Sequence, residues 1–491
     1  MNHQNAKKFK KPVPPPVKKV SPLAPLKSGD SSRLVVWLTL QLALQDGASG
    51  AQEILNDLAK QAELEPRDRG LAFEILQGVF QQRRALDLAV DTLEGFADKE
   101  ISDPVRDVLR LGAFQYFCLD RVPVHALIHA SVEVARVRMG DRVAGFCNAA
   151  FRKMTTQFPG RGEDWGAFKD TLPLEGKYSM PSWAVRTVKR ALENLKPTDE
   201  VSLEKALIAL NQPLPLYARA LPIIALDESY VDAVVIGLSD EEVSAEAKTE
   251  LAPWCLELKA SMSDVLRTMI FKSGQLFIQD VSAQLVSELV VWALYQTGPS
   301  STLIDYCAAP GGKATYVGAR LSGRCHVIAC DLTENRLVRL RENVQRLNVG
   351  EFVEVRLLNS PEPLPEAQVV LVDAPCSGLG TLRRHPEIRW KTRPAELRRL
   401  AVLQGEILDS ASAHVAPGGY LIYSTCSMSE VENEEVVAAF LARQDGKFEI
   451  VYDREKLLWC VQSKMDEDGW LRCLPGRDEM DSSRAVRLRR K

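Results

Sequence analysis

Between residues 33 and 155 apolar positions recur every three to four residues: Leu71, Ile75 and Val79, then Leu86, Leu88 and Val90, then Val105, Leu109 and Leu111. That period belongs to helices burying one face, and no strand-like alternation interrupts it. The breaks are short and fall at Glu65-Pro66, Asp103-Pro104 and Val122-Pro123, where proline punctuates helices. The spacing predicts an all-helical bundle of single-domain size. From residue 301 the pattern changes, and apolar runs of strand length alternate with helical segments, which predicts an α/β sheet domain. Residues 156–195 hold Pro159, Gly160, Gly162, Pro173, Gly176 and Pro181 and read as a linker. Residues 196–296 give mixed signals and read as a small α/β subdomain, with eight Asp or Glu against one Lys at 227–250. The predicted boundaries are therefore a tail at 1–32, a helical domain at 33–155, a linker at 156–195, the subdomain at 196–296 and the sheet domain at 297–491.

Composition sharpens this picture in three places. Residues 1–30 carry seven lysines, six prolines and one acid, Asp30, and a segment with so little to bury reads as a flexible basic tail. The apolar run Leu34 to Leu44 behind it is interrupted by Thr39 and Gln41, so an amphipathic helix is expected there and a secretory leader is not. No stretch approaches the ~18 apolar residues of a membrane span, and no membrane partner is expected. The ten cysteines, at 118, 147, 255, 307, 325, 330, 376, 426, 460 and 473, form no CxxC pair. That argues against a zinc module or a disulfide framework and fits reduced thiols in a cytoplasmic protein with no metal. The net charge of -3 over 491 residues does not by itself exclude a polyanionic partner, because charge is segregated along the chain. Residues 383–399 alone hold seven Arg or Lys, two Glu and Trp390, a composition suited to an RNA groove.

The candidate chemistry lies at strand ends. The strand Thr302–Tyr306 runs into Cys307, Ala308, Ala309, Pro310, Gly311, Gly312 and Lys313, and a helix starts immediately. Two glycines at a strand-to-helix turn let backbone approach a ligand and aim N–H groups at it. A second strand ends at Asp331, about 20 residues on, where a carboxylate can accept from a ribose diol. A third ends near Asn359, placed to contact an adenine. The turn lacks the three-glycine spacing of dinucleotide folds. Two further strands deliver Asp373-Ala374-Pro375-Cys376-Ser377-Gly378 and Ser424-Thr425-Cys426-Ser427. All these groups are expected along one rim of a parallel sheet, where open α/β folds bind ligands.

Together, DYCAAPGGKAT, DAPCSGLG and YSTCS resemble the Sun/RsmB-type ribosomal RNA (cytosine-C5) methyltransferases. Supporting blocks are Gln279-Asp280, LRRHPEIRW at 382–390 and Glu432-Asn433-Glu434, and residues 105–136 resemble a NusB-like RNA-binding domain. The resemblance runs from 33 to 481. It implies a Rossmann-like S-adenosylmethionine methyltransferase domain of α/β class preceded by an all-helical NusB-like bundle. It also implies S-adenosyl-L-methionine as cofactor, held by Cys307 to Lys313, Asp331, Asn359 and Asp373. The implied partner is RNA, with 16S ribosomal RNA ahead of tRNA because of the NusB-like domain; the protein is expected to act as a monomer. A silent RNA-binding assembly factor that keeps the fold is the alternative, against which the intact Asp373, Cys376 and Cys426 stand.

Cytosine C5 is a poor nucleophile unless a thiolate first adds to C6, which is covalent catalysis. Either cysteine could supply that thiolate, since a Pro-Cys dipeptide does so in DNA cytosine methyltransferases. The resemblance assigns Cys426 as nucleophile and Cys376 to release of the product, with Asp373 near the base edge. Three departures from the family pattern are visible. Asn359 stands where the family usually has Asp, the aromatic turn before the last strand is replaced by Asp481-Ser482-Ser483-Arg484, and Arg219 lacks its Asn companion. None removes a catalytic group.

Overall fold

The structure, a computed structural model, describes residues 31–45, 50–97, 99–193, 201–221 and 229–491. The basic tail read over 1–32 lies outside the described residues through position 30. The chain divides into two compact units. One comprises residues up to Met180 together with His385–Lys391, and the other comprises Pro181–Arg384 and Thr392–Lys491.

The first unit is helical, as its period predicts. Its main helices are Ser31–Ala43, Ala51–Gln61, Pro66–Asp91, Asp103–Cys118, Val124–Met139 and Asp141–Gln157. Proline occupies the first turn of the helices Pro66–Asp91 and Asp103–Cys118, where its missing N–H costs nothing. Leu55, Ile75, Val79, Leu86, Leu109 and Leu111 are fully buried in one apolar core, each contributing about 1.5–3 kcal/mol by leaving water. The turn formers of 156–180 do not stop the chain from packing. Helices form at Gly162–Asp170 and Leu174–Lys177, and Trp165 is buried with its ring stacked 4.6 Å from that of Phe117.

A heptapeptide from far along the chain completes this unit. The Glu387 carboxylate accepts from the Ala51 N–H at the start of the helix Ala51–Gln61 (3.2 Å), where negative charge is favoured. The indole of Trp390 donates to the Phe80 carbonyl (2.6 Å) and packs against the helical core. Arg389 is completely buried and donates to the Ser179 carbonyl.

The second unit holds two sheets. A small antiparallel sheet uses β1 (Leu216–Ala220), β2 (Ala245–Ala247), β3 (Cys255–Leu258) and β4 (Leu276–Ile278) in the order β2-β3-β1-β4. The large sheet uses β5 (Ser301–Asp305), β6 (Cys325–Asp331), β7 (Val353–Leu357), β8 (Ala367–Asp373), β9 (Val415–Thr425), β10 (Phe448–Ile450) and β12 (Ser483–Arg490). Its order is β10-β12-β9-β8-β5-β6-β7, with β11 (Trp470–Cys473) paired to β12. Strands β5 to β9 are mutually parallel, and β12 runs antiparallel to β9. The central strands are apolar on both faces, with Leu303, Ile304, Val327, Val370 and Leu421 fully buried, as sheets covered on both sides require. Strand order reverses between β5 and β8, and the crevice beyond the carboxyl ends of those two strands is the default ligand site of such sheets.

Candidate active site

Each of the five parallel strands ends on, or within two residues of, a group singled out from the sequence: Cys307, Asp331, Asn359, Asp373 and Cys426. At the switch point, Asp305 closes β5 and the chain passes through Cys307 to Gly312. Gly311 has φ +103°, a left-handed conformation that a side chain would strain, and a Cβ there would also lie 2.4 Å from Leu340. The helix Gly312–Leu321 begins at once, so its free N–H groups face the crevice. Asp331 closes β6. One of its carboxylate oxygens accepts from the Ala309 N–H (3.2 Å), and the other from the Leu332 N–H (2.7 Å) and the Arg336 guanidinium (3.1 Å). About four lone-pair sites are available to a carboxylate, so the acid can still take a hydroxyl. Asn359, just beyond β7, is exposed. These residues fit a nucleoside ligand, and S-adenosylmethionine among them: acceptors stand at two strand ends, and the buried Asp305 Oδ1 has no hydrogen-bond partner among the described residues. Burial, then the nearby Asp373, pushes the Asp305 carboxyl up to about 7.

The turn is braced from the small sheet. Arg219 of β1 is fully buried and donates to Gln279 Oε1 (2.7 Å), Thr315 Oγ1 (2.9 Å) and the Gly312 carbonyl (3.2 Å). Its guanidinium also lies 5.0 Å from the ring centroids of Phe277 and Tyr316. The missing Asn companion noted in the sequence leaves this Arg itself in use.

The other half of the rim carries the candidate catalytic groups. Asp373 closes β8 with its Oδ1 accepting from the Ser424 hydroxyl (2.7 Å) and its Oδ2 from the Lys313 ammonium (2.6 Å). Lys313 thus reaches from the glycine turn to the catalytic candidate, a link that separate motifs do not announce. Cys376 and Cys426 are brought together with their sulfurs 2.9 Å apart. Cys426 is exposed and Cys376 half-buried. The hydrogen bond with Cys426, then burial and the Cys426 and Glu432 charges, push the Cys376 thiol well above its ordinary range. In this pair the inner sulfur holds its proton. The other eight cysteines are different: burial pushes Cys118 up to about 11 and Cys147, Cys325, Cys330, Cys460 and Cys473 up to about 12. Cys255 and Cys307 are pushed up as well. All eight stay thiols at neutral pH.

Polar bonds fix both cysteine loops. Glu432 accepts from the Ser377 N–H (2.8 Å), the Ser377 and Ser427 hydroxyls (2.6 Å each) and the Gln404 amide (3.2 Å). Asn433 accepts from the Thr425 hydroxyl (2.8 Å) and donates to the carbonyls of Ser427 and Ser429. Gly380 is the close approach: its N–H bonds the Cys426 carbonyl (2.8 Å), and a Cβ there would fall 1.8 Å from the Ser482 carbonyl oxygen. The altered turn at Asp481–Arg484 is fully packed. Asp481 accepts from Arg384 (3.0 Å), its N–H bonds Asp280 (3.1 Å), and the Ser482 N–H bonds the Gly380 carbonyl (2.9 Å).

The basic stretch behaves otherwise than its composition suggests. Arg384 pairs with Asp280 and Asp481, Arg383 donates to the carbonyls of Gln212 and Pro213, and Arg399 pairs with Glu396. Arg389 and Trp390 belong to the helical core described above. The indole counted toward an RNA groove is used in packing, and the exposed cations that remain are Arg393 and Arg398. Among the described residues no cluster of three or more His, Cys, Asp or Glu could hold a metal ion, and no helix is long and apolar enough to cross a membrane.

Residues 293–489 match the family model of the 16S rRNA methyltransferase RsmB/F, and residues 33–156 match the NusB family. The chain is 30% identical over 431 residues to ribosomal RNA small subunit methyltransferase B of Vibrio vulnificus, covering 86% of this chain and 91% of that one. Its identity to the Vibrio cholerae protein of the same name is 32% over 389 residues, 78% and 84% of the two chains. The Bacillus subtilis probable ribosomal RNA small subunit methyltransferase B is 28% identical over 90% of this chain and 94% of its own. Among solved structures, PH0851 superposes with a TM-score of 0.70 at 22% identity, over 95% of this chain and all of that one. That last likeness concerns the fold.

Proposed function

The chain belongs to the ribosomal RNA small subunit methyltransferase B family, and from that premise we propose that it methylates C5 of a cytosine in small-subunit ribosomal RNA. The observation that carries the reading is the pair of thiols 2.9 Å apart, one exposed and one inward. A single general base or a lone cysteine would serve other methylations. Two thiols suit a reaction that must both make and break a bond to the base.

S-adenosylmethionine, when bound, supplies an electrophilic methyl group on a sulfonium. Its nucleoside is assigned to the turn Cys307–Lys313, Asp331 and Asn359, with Asp373 on the reactive side. Cys426, as thiolate, bonds to C6 of a cytosine swung out of its stack, and C5 becomes nucleophilic. The Asp373 and Lys313 pair faces the base edge and steadies the charge that builds on the ring. Formation of the C6–S bond also removes the charge and the hydrogen bond that hold the Cys376 proton. The Cys376 thiol then becomes easier to ionise and releases its proton to solvent; once C5 has gained the methyl group, the Cys376 thiolate takes the C5 proton, and the Cys426–C6 bond breaks with Cys426 leaving as thiolate. Glu432 keeps Cys376 protonated until that moment. The helical domain, 33–155, is assigned to RNA binding, the sheet domain, 297–491, to catalysis, and the whole to the cytoplasm.

The test is bisulfite sequencing of small-subunit ribosomal RNA incubated with the protein and S-adenosylmethionine. One protected cytosine is expected, absent with the Cys426→Ser variant. Methyl transfer to any other atom of the RNA, or protection that survives Cys426→Ser, overturns the reading.

A further inference from the structure

The residue directly after each reactive cysteine is a serine, and both serines bond one carboxylate. Ser377 follows Cys376 and gives Glu432 both its backbone N–H (2.8 Å) and its hydroxyl (2.6 Å). Ser427 follows Cys426 and gives its hydroxyl to the same oxygen, Glu432 Oε2 (2.6 Å). The two hydroxyls are 3.2 Å apart, and the two sulfurs beyond them 2.9 Å. Gln404 fills the remaining site on Oε1 (3.2 Å) and ties the carboxylate to the Pro375 carbonyl, one residue before Cys376 (3.0 Å). On the other side the Glu432 carbonyl accepts from the Tyr423 hydroxyl, three residues before Cys426 (2.6 Å).

Glu432 is completely buried and makes no ion pair among the described residues. A buried carboxylate without a cation is costly unless its lone pairs are filled. Here four donors occupy about four sites. Two of the four come from the Cys376 loop directly, one from the Cys426 loop, and the fourth from a side chain bonded to the Cys376 loop. A packing role would be met as well by an apolar side chain of similar size. The placement of every donor on, or one bond from, a cysteine loop calls for a different account.

We infer that Glu432 is a positioning residue that sets the separation of the two thiols by holding the residue after each. This rests on the proposed roles of Cys376 and Cys426, but the separation itself can be read without any methylation. Phenylarsine oxide is the probe. Its trivalent arsenic bonds both sulfurs, and the two thiol protons leave with its oxygen as water, so affinity depends on how the pair is held. The Cys376→Ser variant, which cannot chelate, gives the background from the other cysteines.

In Glu432→Gln the amide offers one acceptor oxygen in place of two and puts an NH2 against serine hydroxyls. We expect at least a tenfold loss of arsenical affinity and at least a tenfold loss of kcat, with the cofactor Kd and the KM for RNA within twofold of the parent. The Ser377→Ala and Ser427→Ala double variant, a gentler change, is expected to move both readouts in the same direction by less. Arsenical affinity and kcat both within twofold of the parent in Glu432→Gln would overturn the inference. So would a parallel fall in kcat, cofactor affinity and melting temperature, which marks a merely structural role. If the arsenical readout moves as expected while Cys426→Ser still methylates, the positioning role stands and the proposed mechanism falls.

Discussion

The rim bearing Cys376 and Cys426 and the basic stretch 383–399, which lies between those two cysteines in sequence, both stand out in the sequence, one by its motifs and the other by its charge, yet the fold treats them in opposite ways. At the rim, strand ends and Glu432 present two sulfurs to the crevice. In the stretch, most of the cations and the only aromatic are used up holding the chain together. The difference teaches that a reactive group at a strand end is placed by local geometry, whereas the availability of a charge depends on tertiary partners. A positive run therefore measures potential for binding and a Cys at the end of a parallel strand measures something closer to a site.

The comparison breaks first, and most strongly, at Cys426. Cys426→Ser should lower methyl transfer by more than about a thousandfold, over 4 kcal/mol in barrier, with melting temperature unchanged because the side chain is exposed. In the stretch the reverse holds. Trp390→Ala removes the bond to the Phe80 carbonyl and the ring's packing and should cost about 3 kcal/mol of stability, read by thermal or denaturant unfolding. Unchanged stability together with weakened RNA binding would return Trp390 to a base-stacking role.

Asp305 sharpens the rim side of the contrast. Its carboxyl is raised to about 7, mainly by burial, so the folded protein binds a proton there that the unfolded chain releases above its ordinary value near 3.8. Stability from this group is full below pH about 4 and is lost as pH rises through about 7. Asp305→Asn should be neutral near pH 4 and gain on the order of 4 kcal/mol over the parent by pH 8. Denaturant unfolding at both pH values checks this, and a gain that does not grow with pH contradicts it. The smallest effect is expected at the exposed Arg393 and Arg398. Replacing each by Ala should lower the salt dependence of RNA binding by about 0.7–0.9 in log–log slope and leave unfolding unchanged.

Much of this was legible because it is local. The helical period of 33–155, the strand–turn–helix around Gly311 and the placing of Asp331, Asp373, Cys376 and Cys426 at strand ends all follow from short stretches. The distant pairings could not be read. Nothing in the sequence ties Lys313 to Asp373, sixty residues apart, or sends Glu387 back to cap a helix at Ala51. Asp305 stood in plain view as the first letter of the glycine-turn motif, but only burial gives it meaning. Residues 156–195 read as a linker, yet they carry the helices Gly162–Asp170, Leu174–Lys177 and Ser182–Glu193: glycine and proline mark breaks in periodicity, and breaks between short helices have the same composition as loose chain. The Glu432-Asn433-Glu434 block was recognised by resemblance, while its partners Ser377 and Ser427 become visible only when the two loops meet.

The most direct test of the central account is the fate of the covalent bond to RNA. The Cys376→Ser variant, incubated with substrate RNA and S-adenosylmethionine and run on a denaturing gel, should leave a protein–RNA adduct that Cys426→Ser does not form. An adduct formed by Cys426→Ser and absent in Cys376→Ser would exchange the two roles and contradict the reading of the exposed sulfur as nucleophile.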